Sequence, residues 1–136
     1  MRYAICNEHW GQLPFAQVCE RIAAAGYEGV EIAPFTLNED PRELTEHDAI
    51  RVCKDARNAG IEIIGLHWLL TRPAFLHITT PDATLRRDAA KLGRHLARLC
   101  GMMGGKVMVW GSPKARNLLP EWNYDDAFAR AAEVVR

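Results

Sequence analysis

The apolar positions of the chain recur with two alternating spacings, one typical of strands and one typical of helices. Short apolar runs at residues 3–7, 29–32, 61–66 and 106–110 predict four strands. A segment with apolar residues three and four positions apart follows each run and predicts a helix. Because strands that alternate with helices form βαβ units, the pattern predicts an α/β fold with a parallel sheet.

The first two predicted helices carry recognisable start and stop signals. Pro14 is a favoured first-turn residue for the first helix, and Gly26 ends it as a C-cap. Thr45, followed three residues later by Asp48, predicts a variant capping box for the second helix, which stops at Gly60.

The last two predicted helices are marked in the same way. Thr80 as the cap and Pro81 as the first residue predict the start of the third helix, and Gly101, then Gly104 and Gly105, mark its exit. Asn123 with Asp126 opens the final helix. The third helix has the clearest pattern, because leucine and alanine recur along one face while arginines occupy the other.

The links between the predicted elements are unequal. Helix-to-strand links are short and rich in glycine, whereas strand-to-helix links are long and contain or border all seven prolines and all four tryptophans. Strand-to-helix links lie at the carboxyl edge of a parallel sheet, where α/β folds build their functional sites. Both a closed barrel and an open doubly wound sheet satisfy this pattern.

Composition narrows the class of protein. Seventeen basic residues balance seventeen acidic residues, so no net field draws the chain towards nucleic acid or an anionic membrane. No apolar run has the length of a membrane helix, and the N-terminus lacks a signal-peptide layout. None of the four cysteines forms a CxxC pair, so we expect reduced thiols and a cytoplasmic location.

Several catalytic motifs are absent from the sequence. It contains no GxGxxG opening a helix and no GxxxxGK[ST], so dinucleotide and P-loop sites have no support. It contains neither HExxH nor GxSxG, which removes the usual zinc-protease and serine-hydrolase interpretations.

Two ionisable residues stand out at the predicted strand ends. Glu31 lies between two apolar strand residues, so strand alternation turns it towards the inside of a barrel. It then pairs with a basic group of a neighbouring strand, lines a substrate cavity, or holds His67 of the next strand. His67 follows the third strand, where it is either a packed core histidine or a group that binds a substrate or metal. Asn7 and Glu8 end the first strand and are weaker candidates.

Aromatic and basic residues of the links are further candidates. Trp110 ends the fourth strand and provides either a flat apolar wall for a sugar or a lid over the core. Trp68 follows His67 directly. Lys114 and Arg116 come later in the last link, where they either meet an anionic group or remain solvated.

Four segments together carry a resemblance to a known family. VEIAPF, IIGLHWLL, TRPAFLHITTPD and VMVWGSPKARNLLP resemble the sugar phosphate isomerase/epimerase family, which belongs to the xylose isomerase-like TIM barrels. The resemblance runs through nearly the whole chain. It implies that residues 1–136 form one domain, the parallel (βα)4 N-terminal half of a (β/α)8 barrel, and that the chain is a fragment.

The same resemblance implies a chemistry. A divalent metal ion polarises the oxygens of a sugar or sugar phosphate, and carboxylates move a proton through an enediolate-like intermediate. The family's metal ligands and catalytic glutamates come from strands five to eight, so we expect neither catalytic residues nor metal ligands in this chain. The expected substrate-binding positions are Glu31, His67, Trp68, Trp110 and Asn7.

Two alternatives remain at this point. Endonuclease IV-type enzymes of the same superfamily place a zinc-binding histidine at the position that His67 could match, although neutral charge disfavours DNA binding. A non-catalytic half-barrel could also serve as an assembly module. We expect the fragment to be inactive alone, to bind neither nucleic acid nor membrane, and to self-associate through its open edges.

Overall fold

A computed structural model describes residues 1–11 and 13–136 of the chain. Within these residues four strands alternate with four helices. The elements are β1 (Ala4–Cys6), α1 (Phe15–Ala24), β2 (Gly29–Ile32), α2 (Glu46–Asn58), β3 (Glu62–His67), α3 (Ala83–Met103), β4 (Val107–Val109) and α4 (Tyr124–Val135). The strand-to-helix links also contain short 3-10 turns.

The strands form one parallel sheet in the order β1-β2-β3-β4. The helices follow the same order, with α1 packed on α2, α2 on α3 and α3 on α4. An open doubly wound sheet reverses its strand order at a switch point, and this sheet does not. The predicted α/β class, a parallel (βα)4 half of a TIM barrel, is therefore confirmed.

The hydrophobic core lies between the sheet and the layer of helices. Val30 and Ile32 of β2 are completely buried there, as are Leu96 and Leu99 of α3. Because successive strand residues point to opposite faces, the residues between them face the other side of the sheet. We call the helix-covered side the outer face and the opposite side the inner face.

The inner face is only partly covered. Val107 and Val109 of β4 lie on it with 48% and 42% of their surface exposed. Gly65 of β3 pairs with Val107, and a side chain at Gly65 would overlap the backbone carbonyl of Val107. Glycine is therefore required for the close approach of these two strands.

The start of α3 corrects a prediction from the sequence. The N-cap is Asp82, whose carboxylate accepts from the amides of Thr84 and Leu85, and not Thr80. Because the Asp82 carboxylate accepts from two free amides of the first turn, the helix begins after Asp82, and Pro81 lies before it. The helix continues to Met103, and Gly104, one of the glycines predicted at its exit, forms the left-handed cap with a φ of 90°.

The other helix signals lie close to where the sequence predicted them. Thr45 and Asp48 form the reciprocal capping box of α2. Gly26 and Gly60 follow the ends of α1 and α2 with positive φ. Asn123 caps α4 through its side-chain oxygen.

The longest helix, α3, is amphipathic. Its 21 residues bury leucine and alanine on one side and expose arginine and lysine on the other. In the part of the chain that the structure describes, no helix combines the length and the apolar character needed to cross a bilayer.

Candidate functional site

Three chemically reactive side chains meet on the inner face at the carboxyl end of the sheet. The parallel register places Cys6 beside Glu31, and Glu31 beside Gly65. His67 lies two residues beyond Gly65, so its side chain points to the same face. We call Cys6, Glu31 and His67 the rim cluster.

The members of the rim cluster lie close to one another. The Cys6 thiol donates to Glu31 Oε2 at 3.9 Å and lies 4.0 Å from His67 Nδ1. One ligand atom from each residue lies within 4.8 Å of both others. His67 is buried, and the other two side chains are half-buried.

Burial and charge set the protonation of the cluster. Burial, followed by the negative charge of Glu31, raises the pKa of the Cys6 thiol and keeps it protonated. Burial lowers the pKa of His67 and outweighs the opposing effect of the Glu8 and Glu31 carboxylates. The imidazole is therefore neutral at pH 7, and the thiol is a poor nucleophile.

The polar groups of the cluster lack strong partners. His67 Nε2 is fully buried and has no hydrogen-bond partner among residues 1–11 and 13–136. Within the same residues, no basic side chain forms a salt bridge with Glu31. An unsatisfied buried polar group costs about 1–3 kcal/mol, so the arrangement is typical of a site that awaits a ligand or another part of the protein.

Asn7 follows Cys6 directly, and both polar atoms of its side chain form hydrogen bonds within the chain. Its amide nitrogen donates to Thr36 Oγ1 at 2.6 Å, and its carbonyl oxygen accepts from the amide of Ala33 at 2.9 Å. The residue is buried. Asn7 therefore fixes the link after β1 against the link after β2, which holds Cys6 and Glu31 in register.

Trp68, the residue that follows His67, lines a cavity. It adopts a left-handed backbone with φ of 55°, which is unusual for a bulky residue and is typical of constrained functional segments. The cavity measures about 380 Å³ and lies between the links that follow β3 and β4. Besides Trp68, its walls include Thr71, Ser112 and Lys114.

Trp110 is not brought to the rim cluster. It follows Val109 in the strand alternation and points to the outer face, where a Cβ added to Gly93 of α3 would lie 3.2 Å from its ring. The ring packs partly buried against the hydrophobic core. Its position matches the alternative that the sequence left open, an aromatic residue that closes the core.

Sequence reasoning missed two residues of this region. Cys6 was expected only to carry a reduced thiol, although its place on β1 beside Glu31 follows once the strands are taken as parallel and in register. Ser112 accepts from the amide of Leu70 at 3.1 Å and so joins the two links around the cavity. That contact spans 42 residues and has no local signal in the sequence.

The donor set of the rim cluster is compatible with a divalent metal ion. A thiol sulfur, an imidazole nitrogen and a carboxylate oxygen are the ligand types that Zn²⁺ takes in proteins. Mg²⁺ and Mn²⁺ prefer oxygen ligands and match this set less well. The sequence predicted that all metal ligands lie outside the chain. The structure, however, brings together three possible ligands within it.

Sequence comparison identifies the family. The profile of the family described as "Xylose isomerase-like TIM barrel" matches residues 19–136. The chain belongs to the xylose isomerase-like TIM barrel family. No curated protein sequence matches the chain. The resemblance noted in the sequence is thus confirmed at the level of this family, and its members share the parallel barrel whose half is described above.

Structure comparison agrees with the family. A D-psicose 3-epimerase from Clostridium cellulolyticum H10, solved with D-tagatose, superposes with a TM-score of 0.78 at 16% identity and covers 99% of the chain. A D-psicose 3-epimerase solved in the presence of D-fructose gives a TM-score of 0.75 at 15% identity and covers 99% as well. The chain spans 46% of the length of each of these proteins. At this identity the likeness establishes the fold.

Proposed function

We propose that residues 1–136 form the N-terminal half of the barrel of a metal-dependent sugar or sugar phosphate isomerase or epimerase. The observation that carries the proposal is the convergence of Cys6, Glu31 and His67 at the carboxyl edge of the inner face. TIM-barrel enzymes build their active sites at this edge. The likeness to two D-psicose 3-epimerases supports sugars as the substrate class.

Each rim residue has a proposed role in holding the substrate. Neutral His67 exchanges a hydrogen bond with a sugar hydroxyl through the nitrogen that has no partner in the described residues. Glu31 accepts from a second hydroxyl. Trp68 offers the C–H face of a sugar ring an apolar wall. Asn7 holds the link after β1 against the link after β2.

The reaction itself is proposed to depend on residues beyond these four β/α units. A bound divalent ion would supply polarisation of the substrate carbonyl and hydroxyl oxygens. Glu31, the one carboxylate of the rim cluster, is proposed to bind rather than to act as acid or base. The 136-residue chain alone is therefore proposed to lack turnover and to self-associate through its partly exposed inner face.

Saturation-transfer NMR tests the proposed substrate class with the purified chain. D-Psicose, D-fructose and D-fructose 6-phosphate are added in the presence of EDTA, so that bound metal does not contribute. We expect magnetisation transfer to the protons of at least one sugar. We also expect at least about a fivefold weaker transfer in H67A and E31Q, because each variant removes a hydrogen-bonding group.

Two controls complete the experiment. H47A changes an exposed histidine of α2 and should leave transfer unchanged. An abasic-site DNA duplex tests the nuclease alternative, because phosphate contacts make DNA binding fall steeply with salt. Salt-dependent DNA binding, or the absence of transfer to every sugar, would overturn the proposal. Turnover of a ketose by the metal-loaded chain would contradict its inactivity.

A further inference from the structure

The rim cluster has more than one property of a metal site. Its three side chains come from three different strands, so the sheet and not a flexible loop fixes their separation. Ligands on rigid elements are positioned more accurately than ligands on loops. The strands also bring sulfur, nitrogen and oxygen donors to the same side of the sheet.

The spacing of the donor atoms is close to that of a coordinated ion. Tetrahedral Zn²⁺ sites have metal–ligand bonds of about 2.0–2.3 Å, which separates neighbouring ligand atoms by about 3.3–3.8 Å. The Cys6 sulfur lies 3.9 Å from Glu31 Oε2 and 4.0 Å from His67 Nδ1. For these two pairs, a change of a few tenths of an ångström would bring the atoms to coordination distance. The third pair, Glu31 and His67, lies within 4.8 Å, so it requires an approach of at most about 1.5 Å, which side-chain rotation can supply.

An independent observation concerns the imidazole of His67. The residue is 93% buried, since its exposed fraction is 7%. Within the described residues its Nε2 atom has no partner, and its Nδ1 atom faces only the Cys6 thiol, a weak hydrogen-bonding group. A packed core histidine normally has at least one good hydrogen bond, so this side chain lacks the partner that its burial requires.

We propose that Cys6, Glu31 and His67 form a binding site for a thiophilic divalent cation of the Zn²⁺ type. Binding replaces the proton of the Cys6 thiol, which is released to the solvent, and forms a metal–thiolate bond. The neutral imidazole and the carboxylate supply the other two ligands. Three protein ligands leave a fourth position for water or for an oxygen of a bound molecule.

The site is distinct from the ligand set that the family resemblance placed on strands five to eight. It shares residues with the proposed sugar site, but the two proposals can fail separately. Sugar binding is measured in the presence of EDTA, which removes metal ions. Metal binding is measured without sugar, from an absorption band that arises from the Cys6 sulfur.

Cobalt spectroscopy tests the site with the reduced 136-residue chain. We expect Co²⁺ to produce the near-ultraviolet band of sulfur-to-cobalt charge transfer and Zn²⁺ to abolish it. Excess Mg²⁺ should leave the band in place, because Mg²⁺ does not compete for thiolate ligands. The band should be absent from C6S and unchanged in C53S, since Cys53 is half-buried in α2 and outside the cluster.

Affinity and chemical protection provide further readouts. H67A and E31Q should each weaken Co²⁺ binding by at least about tenfold, because each removes one of three ligands. In the unaltered chain, Zn²⁺ should slow alkylation of Cys6 by at least about tenfold and leave Cys53 unaffected, as resolved by peptide mass spectrometry.

Two results would overturn the inference. One is a folded chain, verified by circular dichroism, that gives no charge-transfer band with millimolar Co²⁺. The other is equal alkylation of Cys6 with and without Zn²⁺. The alkylation experiment uses the unaltered sequence, so it decides the question even if C6S fails to fold.

Discussion

The two faces of the sheet differ in how far the chain itself buries them. On the outer face, Val30, Ile32 and Leu66 are buried beneath helices that the same 136 residues supply. On the inner face, Val107 and Val109 remain partly exposed, and the rim cluster lacks strong partners among the described residues. The outer face thus stabilises the fold, whereas the inner face retains exposed apolar surface and a buried imidazole nitrogen without a partner among the described residues.

The largest effect on stability is expected at the close contact between the backbones of β3 and β4. Gly65 lies between β2 and β4, and a methyl group there would overlap the carbonyl oxygen of Val107. We expect G65A to lower the free energy of unfolding by about 3 kcal/mol or more, because backbone atoms have to move. Urea denaturation followed by circular dichroism measures the change.

A matched glycine serves as the control for that prediction. Gly101 lies within α3, and an added methyl group there meets no atom within 4 Å. G101A should be neutral or stabilise the chain by up to about 1 kcal/mol, because alanine favours the helix. Equal stability of G65A and G101A would show that the β3–β4 contact is looser than described.

The second prediction compares the same substitution on the two faces. Val30 is fully buried on the outer face, whereas Val109 is 42% exposed on the inner face. We expect V30A to cost about 2 kcal/mol of unfolding free energy through lost burial and a cavity, and V109A less than about 1 kcal/mol. A similar cost for both variants would mean that the inner face is covered in solution.

The outer face could be predicted from the sequence because its signals are local and periodic. The apolar runs and the helical spacing of leucines in α3 marked both layers, and Thr45 with Asp48 marked the start of α2. The start of α3 was predicted incorrectly because several nearby residues, Thr80 and Asp82 among them, can cap a helix. Only the folded backbone shows which of them contacts the free amides.

Fewer residues of the inner face could be predicted from the sequence. Glu31 and His67 were identified because a charged or titratable side chain within or directly after an apolar strand is unusual. Cys6 was not, since a cysteine in an apolar run is normally a core residue. The bulge between β2 and β3 shifts the register by one residue. Because the bulge sets which side chains share a face, it also decided which residues meet His67.

The third prediction concerns association through the inner face. Val107 is 48% exposed on β4, which is an edge strand of the sheet. If the chain self-associates as proposed, V107K should raise the dissociation constant by about tenfold, because a lysine on an edge opposes pairing. Analytical ultracentrifugation over a range of concentrations measures the constant.

An exposed residue of the helix layer provides the comparison. Ile50 of α2 is 59% exposed and lies away from both the edge and the inner face. I50K should leave the dissociation constant unchanged. If I50K weakened association as much as V107K, the contact would involve the helices and not the inner face.

The smallest predicted effect concerns Asp48, a polar group of the helix layer whose partners lie within the chain, in contrast to His67 Nε2, which has no partner among the described residues. The hydroxyl and amide of Thr45 donate to Asp48 Oδ2 at 2.7 and 3.0 Å, which lowers the pKa of Asp48 to about 2. A lowered carboxyl pKa in the folded state stabilises the fold above the unfolded value of 3.8. This contribution is lost as the pH falls from about 4 to about 2.

Partial exposure of Asp48, whose side chain is 27% accessible, screens the interaction, so we expect a contribution of about 1 kcal/mol. D48N should remove this part of the pH dependence, whereas D88N, at an exposed carboxylate bonded to Lys91, should retain it. Thermal melts of the three proteins between pH 2 and pH 5 provide the measurement. If D48N kept the slope of the unaltered chain, the acid sensitivity would arise from other groups and not from the capping contact of Asp48.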